Sequence, residues 1–462
     1  MKKTITKLTV LFILVIISSN NLSNAQKIGA GSSNSLFVCA DGQVEGVGSN
    51  NSGSLGNGAN LTTTTVVQIS GFYDITEVSG GQSHSLFLKN DGTAWASGAN
   101  GTGQLGDGTL VNKNTPIQVP GLTGIIAIAA GYNHSLFLKN DGTVWSVGYN
   151  FFGLLGDGTT VNRSSPVQVL GLTGIIAIAG GFDHSLFLKN DGTVWAVGRN
   201  NLGQLGDGTQ NNKSTPVQVL GLTGITAITA RGAFSVYLKN DGTVWGSGEN
   251  SYGQLGDGTM NNLRVIPVQV FALTGIIGIA AGTQNTLFLK DNGTVWGVGH
   301  NSNGTLGDGT SSNNRTLPVQ VIGLSEITAI AAGGFHSIFL KNDGTVWTVG
   351  NNDAGQIGDG TVVDKSTSVQ IFGLCSPLGT EENTIENGIS IYPNPCNEQI
   401  ILDLERFQNT TAELFNLQGR LLQTAALQTA KTNLQINHLS SGIYLLQLKN
   451  ADGIVVKKIV KN

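Results

Sequence analysis

Four histidines recur at one place in this chain. His84, His134 and His184 stand 50 residues apart, and His336 fills the same position in a later copy of the same phrase. Imidazoles so spaced could share a metal if the repeats close into a ring, but zinc needs about four donors within roughly 2 Å of one point. Asn34, Phe234 and Asn285 occupy the equivalent positions elsewhere, which favours a hydrogen bond to neighbouring backbone over a metal centre. Asp-Gly-Thr occurs twice per copy, as in Asp191-Gly192-Thr193 and Asp207-Gly208-Thr209. Calcium takes about six to eight oxygens, usually from several acids, so one carboxylate per phrase reads as turn chemistry. Ser85, Ser135, Ser185 and Ser337 follow the histidines within the phrase, without the single base and orienting acid of a nucleophilic triad. The Gly-x-Gly pairs lack the strand, loop and helix of a phosphate site. No catalytic residue, metal set or cofactor is therefore expected.

These residues sit in a sentence that the chain repeats. Gly131 to Gly148 reads G-Y-N-H-S-L-F-L-K-N-D-G-T-V-W-S-V-G, and Trp95, Trp145, Trp195, Trp245, Trp296 and Trp347 mark its period at 50, 50, 50, 51 and 51 residues. A degenerate copy from Gly31 to Gly48 carries Glu45 in the tryptophan position, making seven. Within each copy, Ser135-Leu136-Phe137-Leu138 and Thr143-Val144-Trp145 read as strands. Lys139-Asn140-Asp141-Gly142 joins them, with Gly142 where positive φ is needed. Pro166-Val167-Gln168-Val169 and Ile175-Ile176-Ala177-Ile178-Ala179 supply two more. Four short strands in about 50 residues are the mark of a propeller blade, and the Ala and Gly residues of the last run suit a crowded hub.

Against that regularity, departures carry the information. The pair before the histidine and the residues after W-x-x-G vary freely, mostly among Ser, Asn, Gly and Gln. In repeats three to five they become Tyr132, Tyr149, Phe151, Phe152, Phe182, Arg199, Arg231, Phe234, Glu249 and Tyr252. Aromatic and Arg side chains anchor interfaces, and the rings could equally stack on sugars. If equivalent loops lie side by side, these ten form a binding face; neutral drift into loop packing is the alternative. Asp183 and Glu249 are the only non-repeat acids near that face, thin support for the paired carboxylates of a polysaccharide-active lyase or glycosidase.

The phrase A-A-G-Y-N-H-S-L-F-L from Ala129 to Leu138, with N-x-x-G-Q-L-G-D-G-T from Asn200 to Thr209, resembles the regulator of chromosome condensation repeat family. The resemblance implies an all-β fold, a seven-bladed β-propeller, used for binding across a propeller face. It does not fix an activity, since fold and function separate. Beyond the repeats, Ile389-Ser390-Ile391-Tyr392-Pro393-Asn394-Pro395, Ala412 to Arg420 and Leu439 to Leu446 resemble the C-terminal sorting domain of the type IX secretion system. That resemblance implies a Gram-negative host, handling by the type IX machinery through residues 389–462, and a secreted or cell-surface protein. The alternating Tyr444, Leu446 and Leu448 fit a small C-terminal β-sandwich.

The ends complete the organisation: 1–25 signal peptide, 26–374 propeller, 375–388 linker and 389–462 sorting domain. Lys2, Lys3 and Lys7, the apolar run Leu8 to Ile17, and Ser23-Asn24-Ala25 make the leader, which is too short to span a bilayer. No other stretch could form a membrane helix. The net charge of −4 becomes −7 without the leader's three lysines; the tail, with seven basic and five acidic residues, leaves −9 for residues 26–388. Such an acidic body lacks the electrostatic footprint for nucleic acid, leaving a protein or glycan as partner. Cys375 and Cys396 flank the linker and could bridge; Cys39, in place of a repeat lysine, reads as drift. The first strand, near residues 27–31, is expected to share a closing blade with the last, near 368–372.

Overall fold

A computed structural model describes residues 25–375, 389–394, 396–404, 410–416, 420–427, 429, 431–450 and 453–461; the leader, apart from Ala25, and most of the linker lie outside these. The repeats form seven four-stranded antiparallel sheets, a seven-bladed β-propeller followed by a small β-sandwich. Blade one holds β1 (Ala25–Ala30), β2 (Asn34–Cys39), β3 (Val44–Gly48) and β4 (Thr63–Gln68) in that order. Blades two to seven repeat the pattern over residues 75–118, 125–168, 175–218, 225–269, 276–320 and 327–370, giving β5 to β28.

Local chemistry explains each blade. In blade three, Phe137 faces Trp145 across a hairpin. Gly142 closes it at φ 78°, where a side chain is disfavoured, and Asp141 Oδ1 accepts from the Thr143 amide at 2.9 Å. The long loop is pinned by Asn150, whose Nδ2 donates to Asp157 Oδ1 (3.1 Å) while its Oδ1 accepts from the Leu155 amide (2.9 Å). Arg163 pairs with Asp157 Oδ2 at 2.7 Å, so both carboxylate oxygens of this Asp-Gly-Thr phrase are occupied in holding a turn. The apolar core lies between blades rather than within them. Leu86 and Leu88 of blade two pack with Phe137 and Val147 of blade three, all buried.

The histidines stitch these seams. His84 Nε2 meets Ser135 Oγ at 3.1 Å, His134 meets Ser185 at 3.0 Å, His184 meets Ser235 at 2.9 Å and His336 meets Ser35 at 3.0 Å, each in the next blade. Ser135 Oγ in turn donates to the Gln104 carbonyl at 2.7 Å. The hydroxyl proton is thus committed, and Nε2 must be the donor to the serine, which fixes the neutral tautomer. The partner is a side chain across the seam, not the neighbouring backbone expected from sequence. Burial holds His84 down at about 4 and the other three at about 3. At the seam between blades one and two, where Asn34 replaces histidine, the Ser85 hydroxyl is buried without a partner.

Ring closure differs from the expectation. β1 pairs with β2, and β28 (Lys365–Gln370) with β27 (Val346–Gly350), so no blade combines strands from both ends. Ala25, assigned to the leader's end, opens β1 opposite Cys39. Instead of a shared strand, a disulfide joins Cys39 to Cys375, 336 residues apart. Glu45, in the tryptophan position, turns its Oε2 to accept the Cys375 amide at 2.7 Å. Cys375 therefore does not bridge to Cys396, which is a free, buried thiol donating to the Val460 carbonyl. Cys39 and Glu45 looked like degeneration of the first repeat. Both serve residue 375.

The tail packs one sheet of β29 (Ile389–Tyr392), β30 (Gln399–Leu404) and β33 (Lys431–Gln435) against another of β32 (Leu421–Ala426), β31 (Thr411–Asn416), β34 (Gly442–Asn450) and β35 (Gly453–Lys461). Tyr444, Leu446 and Leu448 point into its core with Ile400, Leu402 and Ile459, as their alternation required.

Candidate binding face

The two variable positions of each repeat lie on one face because backbone ties them together. The Tyr149 amide donates to the Asn133 carbonyl (2.9 Å), Arg199 to Asp183 (2.9 Å) and Glu249 to Ala233 (3.0 Å). The turns before the histidines are also linked around the axis. The Gln82 amide donates to Tyr132 (3.0 Å), Tyr132 to Gly181 (3.0 Å) and Phe182 to Gly232 (3.1 Å). Side chains at equivalent positions of adjacent blades are thus brought next to one another.

Blades three and four carry one continuous patch. Tyr132 stacks on Phe182 with centroids 3.9 Å apart. Phe152 lies edge-on to Phe151 (5.1 Å) and Tyr149 (6.3 Å), and the Arg199 guanidinium covers it at 4.8 Å. Arg199 Nη1 holds Asp183 Oδ2 at 3.1 Å. Burial pushes the Asp183 carboxyl up, with Arg199 opposing it. Burial also raises Tyr132 and Tyr149; Arg231 opposes the shift and Asp183 adds to it at Tyr132, while at Tyr149 Asp183 adds and Arg199 opposes. Phe151 is 64% exposed, a large apolar ring left in water.

The remaining candidates separate from this patch. Phe234 is fully buried in the seam between blades five and six, packed with Leu255 and Phe288, and is not part of the face. It occupies the histidine position, whose side chains all turn into the seams. Arg231 reaches inward across the axis rather than outward. Glu249 is half-buried, its backbone paired with Leu263. Tyr252 joins a second cluster: His300 lies edge-on to it at 5.2 Å and to Phe335 at 5.3 Å. His300 and Phe335 obey the same positional rule as Tyr149 and Asp183, but in repeats six and seven. Comparing all seven copies at those positions would have found them. Of the two acids considered for polysaccharide cleavage, Asp183 is ion-paired to Arg199 and Glu249 is half-buried.

Residues 125–382 match the RCC1-like domain, residues 75–104 and 91–138 match the regulator of chromosome condensation (RCC1) repeat, and residues 390–462 match a secretion system C-terminal sorting domain. The human E3 ubiquitin-protein ligase HERC2 is 37% identical over 100 residues, 21% of this chain and 2% of the ligase. Mouse regulator of chromosome condensation is 30% identical over 96 residues, 20% of this chain and 23% of that protein. The chain thus matches only a small part of either relative. Among solved structures, Prp20p from Saccharomyces cerevisiae superposes with a TM-score of 0.65 at 20% identity, covering 80% of this chain and 90% of Prp20p. Human WBSCR16 gives 0.63 at 23%, covering 70% and 92%. The sorting domain marks a protein that type IX secretion exports from Bacteroidetes, to the cell surface or beyond. No helix among the described residues is long and apolar enough to cross a membrane.

Proposed function

Because the chain belongs to the RCC1-like domain family, we propose that it is a non-catalytic surface or secreted binding protein whose propeller face takes a protein or glycan ligand. The leader at 1–25 and the type IX machinery acting on 389–462 deliver it there. One observation carries this reading: Tyr132, Phe182, Tyr149, Phe152 and Arg199 form a connected aromatic and cationic patch across two blades, with Phe151 exposed above it. Rings fixed by stacking and a guanidinium fixed by an ion pair lose little freedom on binding, which suits an anchor.

Screening the full chain against arrayed polysaccharides and purified surface proteins supplies the test. Replacing Phe151, Phe152 and Phe182 with Ala weakens the ligand so found at least tenfold, since a central anchor typically contributes about 2 kcal/mol or more. The triple variant keeps its unfolding midpoint. Asn303→Ala, at the matching loop of repeat six, leaves affinity unchanged. Equal losses from both would move the site elsewhere on the ring.

A further inference from the structure

The inner strands of all seven blades leave a channel on the propeller axis, a cavity of about 260 Å³ lined by residues 28–30, 78–80, 128–130, 178–180, 228–231, 279–281 and 330–332. Its walls are Ala, Gly, Ile, Val, Ser and Thr, and Arg231 is the one ionisable side chain among them. Arg231 crosses from blade five to blades one and two. Its Nη1 donates to the Ala30 carbonyl at 2.9 Å and the Gly80 carbonyl at 3.2 Å. The other edge of the guanidinium is poorly served. Nη2 has only the Ser32 hydroxyl at 3.5 Å and the Gly81 carbonyl at 3.4 Å, and Nε is buried with no partner.

Two departures from the repeat admit this side chain. The other six copies have glycine at this position, and in the four histidine blades a Cβ there would collide with the imidazole. Only in blade five is the glycine replaced by Arg231, and there Phe234 replaces the histidine. The outcome is a cation in a channel whose lining holds no carboxylate. Burial lowers Arg231 to about 10, so it stays charged at neutral pH. A half-buried guanidinium bonded only to neutral acceptors lacks the counter-charge that normally offsets its desolvation.

We propose that the axial channel binds a small carboxylate at the guanidinium of Arg231. Two parallel N–H groups match two oxygens of one planar anion, a geometry that lysine cannot reproduce. Tyr132 of the aromatic patch lies within electrostatic reach of Arg231, so the test reads acetate binding directly rather than through that patch's ligand.

Calorimetric titration and thermal unfolding of the full chain with acetate, against chloride at equal ionic strength, test this. The native protein shows saturable acetate binding and a midpoint that rises with acetate beyond the chloride response. Arg231→Lys binds at least tenfold more weakly, and Arg231→Met shows no acetate-specific response. If Arg231→Met fails to fold, the Lys variant decides. A strut with no ligand predicts lower midpoints in both variants and no acetate-specific response in any protein. That result, or variants that respond like the native chain, overturns the proposal.

Discussion

The seam between blades three and four and the seam between blades seven and one start from the same parts. Each has a buried histidine donating to a serine of the next blade, His134 to Ser185 in one and His336 to Ser35 in the other. At the first seam the polypeptide itself runs from blade to blade through residues 169–174. At the second there is no such connection, and there alone Cys39 bonds to Cys375 while Glu45 grips the Cys375 amide. No strand is exchanged between the ends, so the closing contact has the same packing as its neighbours and lacks only a covalent tether. The comparison teaches that the disulfide substitutes for a missing chain connection, not for missing core.

Acid gives the largest separation between kinds of seam. The buried histidines are held at about 3 to 4 when folded, against 6.5 unfolded, so the unfolded chain takes up protons that the folded one refuses. Their contribution is fully present above about pH 6.5 and falls as pH drops towards 4 for His84 and 3 for the others, at up to roughly 1.4 kcal/mol per unit for each histidine. The seams built on Asn34, Phe234 and Asn285 are not loosened in this way. Hydrogen exchange between pH 7 and 4 should therefore rise first in the strands carrying His84, His134, His184 and His336. Uniform opening of all seven blades would erase the distinction. Next in size, Cys39→Ser lowers stability by about 2 to 5 kcal/mol in urea unfolding, because the bond closes a long loop. A reductant should produce the same loss in the native protein and none in the variant; a reductant effect that persists in the variant would place the redox-sensitive contact elsewhere. Smallest is Glu45→Ala, about 1 to 3 kcal/mol, since it leaves the Cys375 amide buried and unpaired. A loss nearer zero would show that the disulfide alone holds the seam.

The regular parts of this molecule were readable because a repeat tests itself. Gly142 at positive φ, the inner run at Ile175–Gly180 and the alternation of Tyr444, Leu446 and Leu448 follow from local preferences of turn and strand. Closure was not readable in that way. Cys39 and Glu45 matter through Cys375, and no local pattern joins residues separated by 336 positions. At the face, position within the repeat located Tyr132, Phe152 and Phe182, because equivalent turns are hydrogen-bonded side by side. It failed for Phe234, where the decisive fact is that the histidine position points into the seam. His300 and Phe335 sit at the same two positions in repeats six and seven, where the rule holds equally, and their rings meet Tyr252 across blades.

Cys39 lies in the first blade and Cys375 just past the last, so their bond reports on everything between them. A chain that ends before residue 375 carries Cys39 without the partner it has in the closed ring. A reducing cytoplasm keeps such thiols apart, and an oxidising compartment beyond it joins them. The bond therefore brackets the ring: its two sulfurs come within reach of one another across the seam that all seven blades must be in place to form.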